Sequence, residues 1–350
     1  MLNSLRAVAR FIQKHIGWNR IGVLLSLAII TVAFVVLYRM LRGIDIADVL
    51  KAAKATDPLN VAAAALFVAG GYFTLTFYDW FALRTIGHKE IPYRIAALSG
   101  FTSYSIGHNV GATVFTGGAV RYRIYSLYGL DAVEVAKICF LAGLTFWLGN
   151  VTMLGLGITI HPEAASAIDQ LPPMANRCIG IALLCILAGY VAWVWSAPRE
   201  IGRGEWTVRL PKGSNTLLQI FIGIFDLGCC ALAMYMLVPM TPSIGFIALA
   251  VVFVTATLLG FASHSPGGLG VFDAAMLGAL LHLDFNKESV VAGLLLFRVL
   301  YYLIPFALAL TILGIREVWL NMKGTRDKPK LAPVTTVTAP IRTEIEAEKR

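Results

Sequence analysis

The sequence predicts an all-α polytopic membrane protein of about eight transmembrane or re-entrant segments, with two broken helices and an inverted internal repeat. Three observations carry that reading. Of 350 residues, 58% are hydrophobic and only 14% charged, with a mean hydropathy of +0.74, against about 45–50% apolar and about 25% charged in soluble domains. Apolar runs long enough to cross a bilayer recur along the chain. Two of those runs are interrupted by serine, glycine and proline. This composition excludes a cytosolic enzyme, a nucleic-acid-binding domain and a secreted disulfide scaffold. The net charge of +9 sits mostly in tails and loops, as in cytoplasmic membrane loops. The cysteines Cys139, Cys178, Cys185, Cys229 and Cys230 lie in apolar runs, where cysteine acts as a small hydrophobe. No metal-type Cys/His spacing occurs, and no metal or cofactor is expected.

Residues 1–20 carry Arg6, Arg10, Lys14 and Arg20 ahead of an apolar run near 21–38. That run is long, ends in Tyr38-Arg39-Met40-Leu41-Arg42 and has no small-residue cleavage site, so it reads as an uncleaved first transmembrane helix. Further apolar segments lie near 59–83, 95–118, 133–160, 178–195, 217–238, 243–262, 267–282 and 289–314. The membrane domain is thus 21–315, with repeat halves of roughly 21–160 and 178–315. The polar tail 316–350, with Pro329, Pro333 and Pro340, is expected to be cytoplasmic and largely disordered from about 323.

Segment 95–118 contains the polar run Ser99–Asn109 followed by Gly111, Gly117 and Gly118, and 243–282 is interrupted by Ser263-His264-Ser265-Pro266-Gly267-Gly268-Leu269-Gly270. Proline and clustered glycine break helices. Freed backbone groups at membrane depth are tolerated only where protein or a water-filled cavity satisfies them, so interruptions are expected at about 105–118 and 263–268, and a transporter's site beside them.

The halves match weakly in a common order. Leu98–Ser105 matches Leu258–Ser265, Tyr78-Asp79 matches Phe225-Asp226, Gly117-Gly118 matches Gly267-Gly268, and Leu130-Asp131 with Glu134 matches Leu283-Asp284 with Glu288. Charge orients the repeat. Loops 84–94, 119–132 and 196–216 and the tail are basic, whereas 161–176 has Glu163 and Asp169 and no Lys or Arg. The positive-inside rule then puts both termini in the cytoplasm. Segment 95–118 dips in and returns, and 243–282 enters from the opposite face, either as a re-entrant loop or as two crossings. Loop 39–58, with four basic residues outside balanced by three aspartates, fits this less well.

Charged side chains inside a bilayer cost about 2.5–3.5 kcal/mol on insertion scales, so each is a functional candidate. Asp79, Asp226 and Arg298 lie within apolar segments, and Arg121, Arg123 and Asp273 just after the broken stretches. The plainer alternatives are a structural Asp226–Arg298 pair, Asp79 near a helix end, and Arg121 and Arg123 as interfacial anchors. Pro266 before Gly267-Gly268 can open a half-helix whose amides bind an anion, or the glycines can serve close packing. His108 and His264 beside Ser105, Ser263 and Ser265 read as polar cavity lining; a Ser/His hydrolase would need Ser103 or Ser105 to meet His264. The candidate substrate-binding set is Asp79, Ser105, His108, Asn109, Gly117, Gly118, Arg121, Arg123, Asp226, His264, Pro266, Gly267, Gly268, Gly270, Asp273 and Arg298; none is assigned as catalytic.

The run Pro266-Gly267-Gly268-Leu269-Gly270-Val271-Phe272-Asp273, with Gly117-Gly118-Ala119-Val120-Arg121 in the first half, resembles the membrane region of the lysylphosphatidylglycerol synthase and flippase family (multiple peptide resistance factor) and its stand-alone relatives. The resemblance covers roughly 20–315, and Asp273 stands where Glu is more usual. It implies a lipid flippase of the bacterial inner membrane that moves aminoacylated phosphatidylglycerol from the inner to the outer leaflet. The family's aminoacyl-tRNA-dependent transferase domain is missing here, so it implies the translocating half and no enzyme. The partner it implies is a membrane phospholipid, anionic or aminoacylated. A homodimer and a separate lipid-modifying synthase stay open, and no nucleic acid is expected. Asp79, Asp226 and Asp273 suit a cationic headgroup, and Arg121, Arg123 and Arg298 a phosphate. A secondary transporter of a small solute and an intramembrane hydrolase are the alternatives. No Walker-type phosphate loop is present, so ATP is not the direct driver.

Overall fold

The computed structural model describes residues 56–322 apart from 112, 205, 239–241 and 264–265, together with 47, 51 and 54. The basic segment 1–20, the helix expected near 21–38 and the tail beyond 322 lie outside the described residues.

Eleven α-helices follow in order among the described residues: α1 Pro58–Ile86, α2 Tyr93–Val110, α3 Thr113–Tyr125, α4 Ala132–Ile160, α5 Pro162–Asp169, α6 Pro173–Ser196, α7 Gly213–Leu237, α8 Phe246–Ala262, α9 Val271–His282, α10 Lys287–Phe297 and α11 Ile304–Met322. A six-residue π-helical stretch, Arg298–Leu303, joins α10 to α11 in one continuous rod. Among the described residues, α1, α4, α6, α7 and that rod are long and apolar enough to cross a membrane, which makes this an all-α multi-pass architecture. Local signals set the ends. Asp57 accepts the Leu59 N–H at 2.8 Å ahead of Pro58, and Asp131 and Glu134 cap α4 reciprocally.

The first interruption falls inside the expected 105–118, whereas two loops need correction. Helix α2 runs through the polar run Ser99–Asn109 to Val110. Thr102, Ser105 and Asn109 each donate to a carbonyl four residues back, on Leu98, Phe101 and Ser105, which absorbs their polarity without opening the backbone. The break opens at Gly111, whose φ of 84° is left-handed and suits glycine. Loop 196–216 contains a hairpin, Glu200–Arg203 paired antiparallel with Trp206–Arg209, and loop 161–176 contains α5. The second interruption falls where expected. Pro266–Gly268 is a short turn, and Gly267, Gly268 and Gly270 all have positive φ.

Packing gives the molecule two ends. At one, His88 bonds Glu134 at 2.8 Å, Arg123 bonds Glu317, and Val208 of the hairpin shares a buried cluster with Ile91, Tyr125, Val135 and Leu313. The three basic loops and the C-terminal end of α11 therefore gather there, at the basic end. At the other, α5 packs on α8 and α9, with Asn176 of α6 bonded to Asp169.

Two helical hairpins project between these ends. Helices α2 and α3 rise from the basic end and pack so closely that a Cβ on Gly117 would stand 3.2 Å from the Ser103 carbonyl oxygen. Helices α8 and α9 enter from the opposite end. The tips meet: the His108 ring lies 5.6 Å from that of Phe261, and α2 packs on the turn Pro266–Gly268.

Candidate functional site

The site is built from ions and tyrosines that line up between the hairpins. Asp79 on α1 is fully buried. Arg121 on α3 reaches it through Nε at 3.0 Å and Nη2 at 2.8 Å, and the Tyr125 hydroxyl donates to it at 2.8 Å. The Arg121 guanidinium also lies 4.9 Å from the ring centroid of Tyr104. Tyr104 meets Tyr78 edge to face at 5.7 Å, and Tyr78 donates to Asp226 Oδ2 at 3.0 Å. Asp226, midway along α7, is buried, and its Oδ1 has no partner. Two carboxylates from the two halves thus share one aromatic-lined interior, one ion-paired and the other without a cation.

A second group lies beside the second tip. Asp273, in the first turn of α9, accepts the Gly270 N–H at 3.0 Å and both Nε and Nη2 of Arg298. Arg298 opens the π-helical stretch; its Nη1 is buried without a partner. The expected alternative of an Asp226–Arg298 pair is therefore corrected: α9 delivers Asp273 to Arg298, and Asp226 is held by Tyr78. Asn109 ties the first hairpin to this group, its Nδ2 donating to the Ser105 and Tyr302 carbonyls, while its Oδ1 has no partner. The Tyr72 hydroxyl donates to the Tyr301 carbonyl at 2.9 Å. A π-helical stretch leaves backbone groups out of register, and these two side chains reach carbonyls within it.

Of the other expected site residues, Arg123 stands apart at the basic end, bidentate on Glu317 with its Nη2 at 2.6 Å. His108 is sandwiched between the rings of Tyr104 and Phe261. Ser105 donates to Phe101 O. Gly117 and Gly118 face Ser103 and Cys139 as packing contacts, and Pro266, Gly267, Gly268 and Gly270 form the turn at the second tip. His264 lies outside the described residues. Among the described residues no group of three His, Cys, Asp or Glu side chains could hold a metal.

The model of the lysylphosphatidylglycerol synthase transmembrane region matches residues 23–309, which covers both hairpins and all the ion pairs except the Glu317 end of one. The chain belongs to that family. Within it, the chain is 30% identical over 257 residues to the uncharacterized protein slr0712 of Synechocystis sp., covering 73% of this chain and 79% of the relative. It is 26% identical over 300 residues to the inner membrane protein YbhN of Escherichia coli, covering 85% and 93%. A phosphatidylglycerol lysyltransferase of Staphylococcus xylosus is 25% identical over 326 residues, but the match covers 90% of this chain and 36% of that enzyme. Both slr0712 and YbhN are therefore close to this chain in length, whereas the chain spans about a third of the lysyltransferase.

Sequence reasoning missed four participants: Tyr78, Tyr104, Tyr125 and Glu317. Tyrosine in an apolar segment carries no signal of its own, because a buried ring looks the same whether or not its hydroxyl serves a carboxylate. Glu317 lies in the segment read as tail. Ile315, Val318, Trp319 and Met322 carry the helical period through it, which was the available clue.

Proposed function

We propose that this chain is a lipid translocator of the inner membrane, moving phosphatidylglycerol-type or aminoacylated phosphatidylglycerol lipid between leaflets. The observation that carries this reading is the tip-to-tip meeting of the two hairpins, His108 against Phe261, beside two arginine–carboxylate pairs. A headgroup crossing a bilayer needs polar partners at depth. In the conformation described, Asp79 and Asp273 occupy the arginines, which keeps the path closed. A lipid phosphate can displace either carboxylate, because a guanidinium donates two parallel bonds to phosphate as well as to carboxylate. Asp226 suits an amino headgroup, since no counter-ion has to leave it first.

The order long helix, helix, break, helix, long helix occurs in 58–160 and again in 213–322, which supports an inverted repeat. With the helix expected near 21–38, the segments become six crossings and two hairpins. In that arrangement the basic end and both termini face the cytoplasm. The protein then needs no aminoacyltransfer chemistry of its own, and a separate synthase supplies any aminoacylated lipid.

The test is leaflet exchange of labelled phosphatidylglycerol and lysyl-phosphatidylglycerol in proteoliposomes. Wild type should exchange both faster than protein-free vesicles, and Asp226→Asn should slow the lysyl lipid more than the unmodified one. Exchange at the protein-free rate for both lipids overturns the reading.

A further inference from the structure

The lipid-facing side of α1 ends in an aromatic cleft that the ion pairs do not use. Leu59, Leu66, Phe73 and Trp80 recur every seven residues, a spacing that holds them on one helix face. Leu59, Leu66 and Phe73 are exposed, so in a spanning helix this face meets acyl chains. Toward the basic end the stripe becomes concave. Tyr93, the first residue of α2, folds back over it, with its ring 5.6 Å from Phe77 and 6.3 Å from Trp80. Its hydroxyl sits 2.6 Å from Thr76 Oγ1, which pins the two helices together. The cleft has a volume of about 360 Å³.

Two features set it apart from an ordinary interfacial aromatic belt. Its walls come from two elements locked by that hydroxyl contact, and its rim carries Arg84 and Lys89. The Arg84 guanidinium lies 4.4 Å from the Trp80 ring centroid. Among the described residues neither cation is ion-paired, whereas Arg121, Arg123 and Arg298 each hold a carboxylate. An apolar floor under an unneutralised, doubly cationic rim, at the end of a spanning helix, matches a molecule with long chains and an anionic phosphate.

We propose that this cleft binds an anionic glycerophospholipid from the leaflet at the basic end, with its phosphate between Arg84 and Lys89 and an acyl chain along Phe73 and Phe77. The site is separate from the ion pairs between the hairpins and stands whether or not the chain translocates lipid.

The full chain is reconstituted in phosphatidylcholine vesicles with trace phosphatidylglycerol or phosphatidylcholine, each carrying the same photoactivatable acyl chain, and the labelled peptides are mapped. Phosphatidylglycerol should label the peptide containing Phe73 and Phe77. Arg84→Gln with Lys89→Gln should cut that labelling about tenfold or more, the loss of at least one charge-assisted hydrogen bond to the phosphate. Arg84→Lys should retain most of it, which guards against simple misfolding. Added inorganic phosphate should not compete; competition would assign the rim to free phosphate and overturn the lipid assignment. Equal labelling by the two lipids, or full labelling in the double variant, would also overturn it and leave Trp80 and Tyr93 as belt residues. No leaflet exchange is read, so failure here is distinguishable from failure of the translocation reading.

Discussion

Arg121 grips Asp79 with two nitrogens of one guanidinium, 42 residues apart in sequence and both buried. The pair holds the inner wall of the first hairpin to α1. Removing one partner leaves a buried charge without compensation, which costs about 3–5 kcal/mol, whereas neutralising both costs much less. Asp79→Asn and Arg121→Gln should each lower the thermal unfolding temperature in detergent, and the double variant should be more stable than either. Asp226→Asn should be milder than Asp79→Asn, because Asp226 has Tyr78 and no cation. Additive losses in the double variant would show that the two side chains act independently.

Gly149 and Gly223 set the crossing of α4 and α7. A Cβ on Gly149 would stand 2.5 Å from the Gly223 carbonyl carbon, and one on Gly223 would stand 2.7 Å from the Thr145 carbonyl oxygen. Both obstacles are backbone, so the helices would have to separate. Gly223→Ala should destabilise by about 1–3 kcal/mol or more, the usual cost of overpacking. Gly143→Ala on the same α4, with nothing within 4 Å, should be neutral. Equal Tm values for the two variants in detergent would refute this account of the crossing.

His88 clamps the α1–α2 loop to the start of α4, bonding Glu90 and Glu134 at 2.8 Å each. Burial disfavours the imidazolium, but the hydrogen bonds and charges of the two carboxylates outweigh it and raise the pKa above 6.5. Glu90 is lowered from 4.5: burial opposes ionisation, and a backbone hydrogen bond and His88 overcome it. A raised histidine gives stability that is complete below its unfolded pKa and lost as pH rises through its folded value; a lowered carboxylate gives stability complete above its unfolded pKa and lost as pH falls. The clamp is therefore fully engaged between pH 4.5 and 6.5. His88→Gln should lower Tm more at about pH 6 than at about pH 9; the same loss at both would show that charge plays no part.

Arg203 sits exposed on the hairpin at the basic end. A cysteine placed there, after replacing the five native ones, all free among the described residues, should resist an impermeant maleimide applied to intact cells and react once the cells are opened. Labelling from outside would invert the proposed topology.

Much of the fold was legible because its signals are local. Among the described residues apolar run length marked the long spans, although the last runs to Leu320 rather than about 314, and the clustered Pro266, Gly267, Gly268 and Gly270 marked the second interruption. The first was bracketed more loosely, as 105–118, because Gly111, Gly117 and Gly118 all qualify; α2 carries its polar run as far as Val110 because Thr102, Ser105 and Asn109 return to carbonyls of their own helix. The hairpin Glu200–Arg203 with Trp206–Arg209 was invisible because four-residue strands between charged residues carry no periodicity long enough to read.

By itself the sequence determined that this chain lives in a membrane, where its long apolar helices run, which loops are basic, and which ions stand in or beside apolar segments, since each is read from consecutive residues. Only the tertiary structure decided which ion meets which. Tyr78 reaches Asp226 across 148 residues and Arg123 reaches Glu317 across 194, and Arg298 takes Asp273 rather than Asp226. Inside a bilayer every ion must find a partner, but which one it finds depends on how the helices cross, and that is set by close contacts such as Gly149 on Gly223, one turn from Asp226 on the same helix.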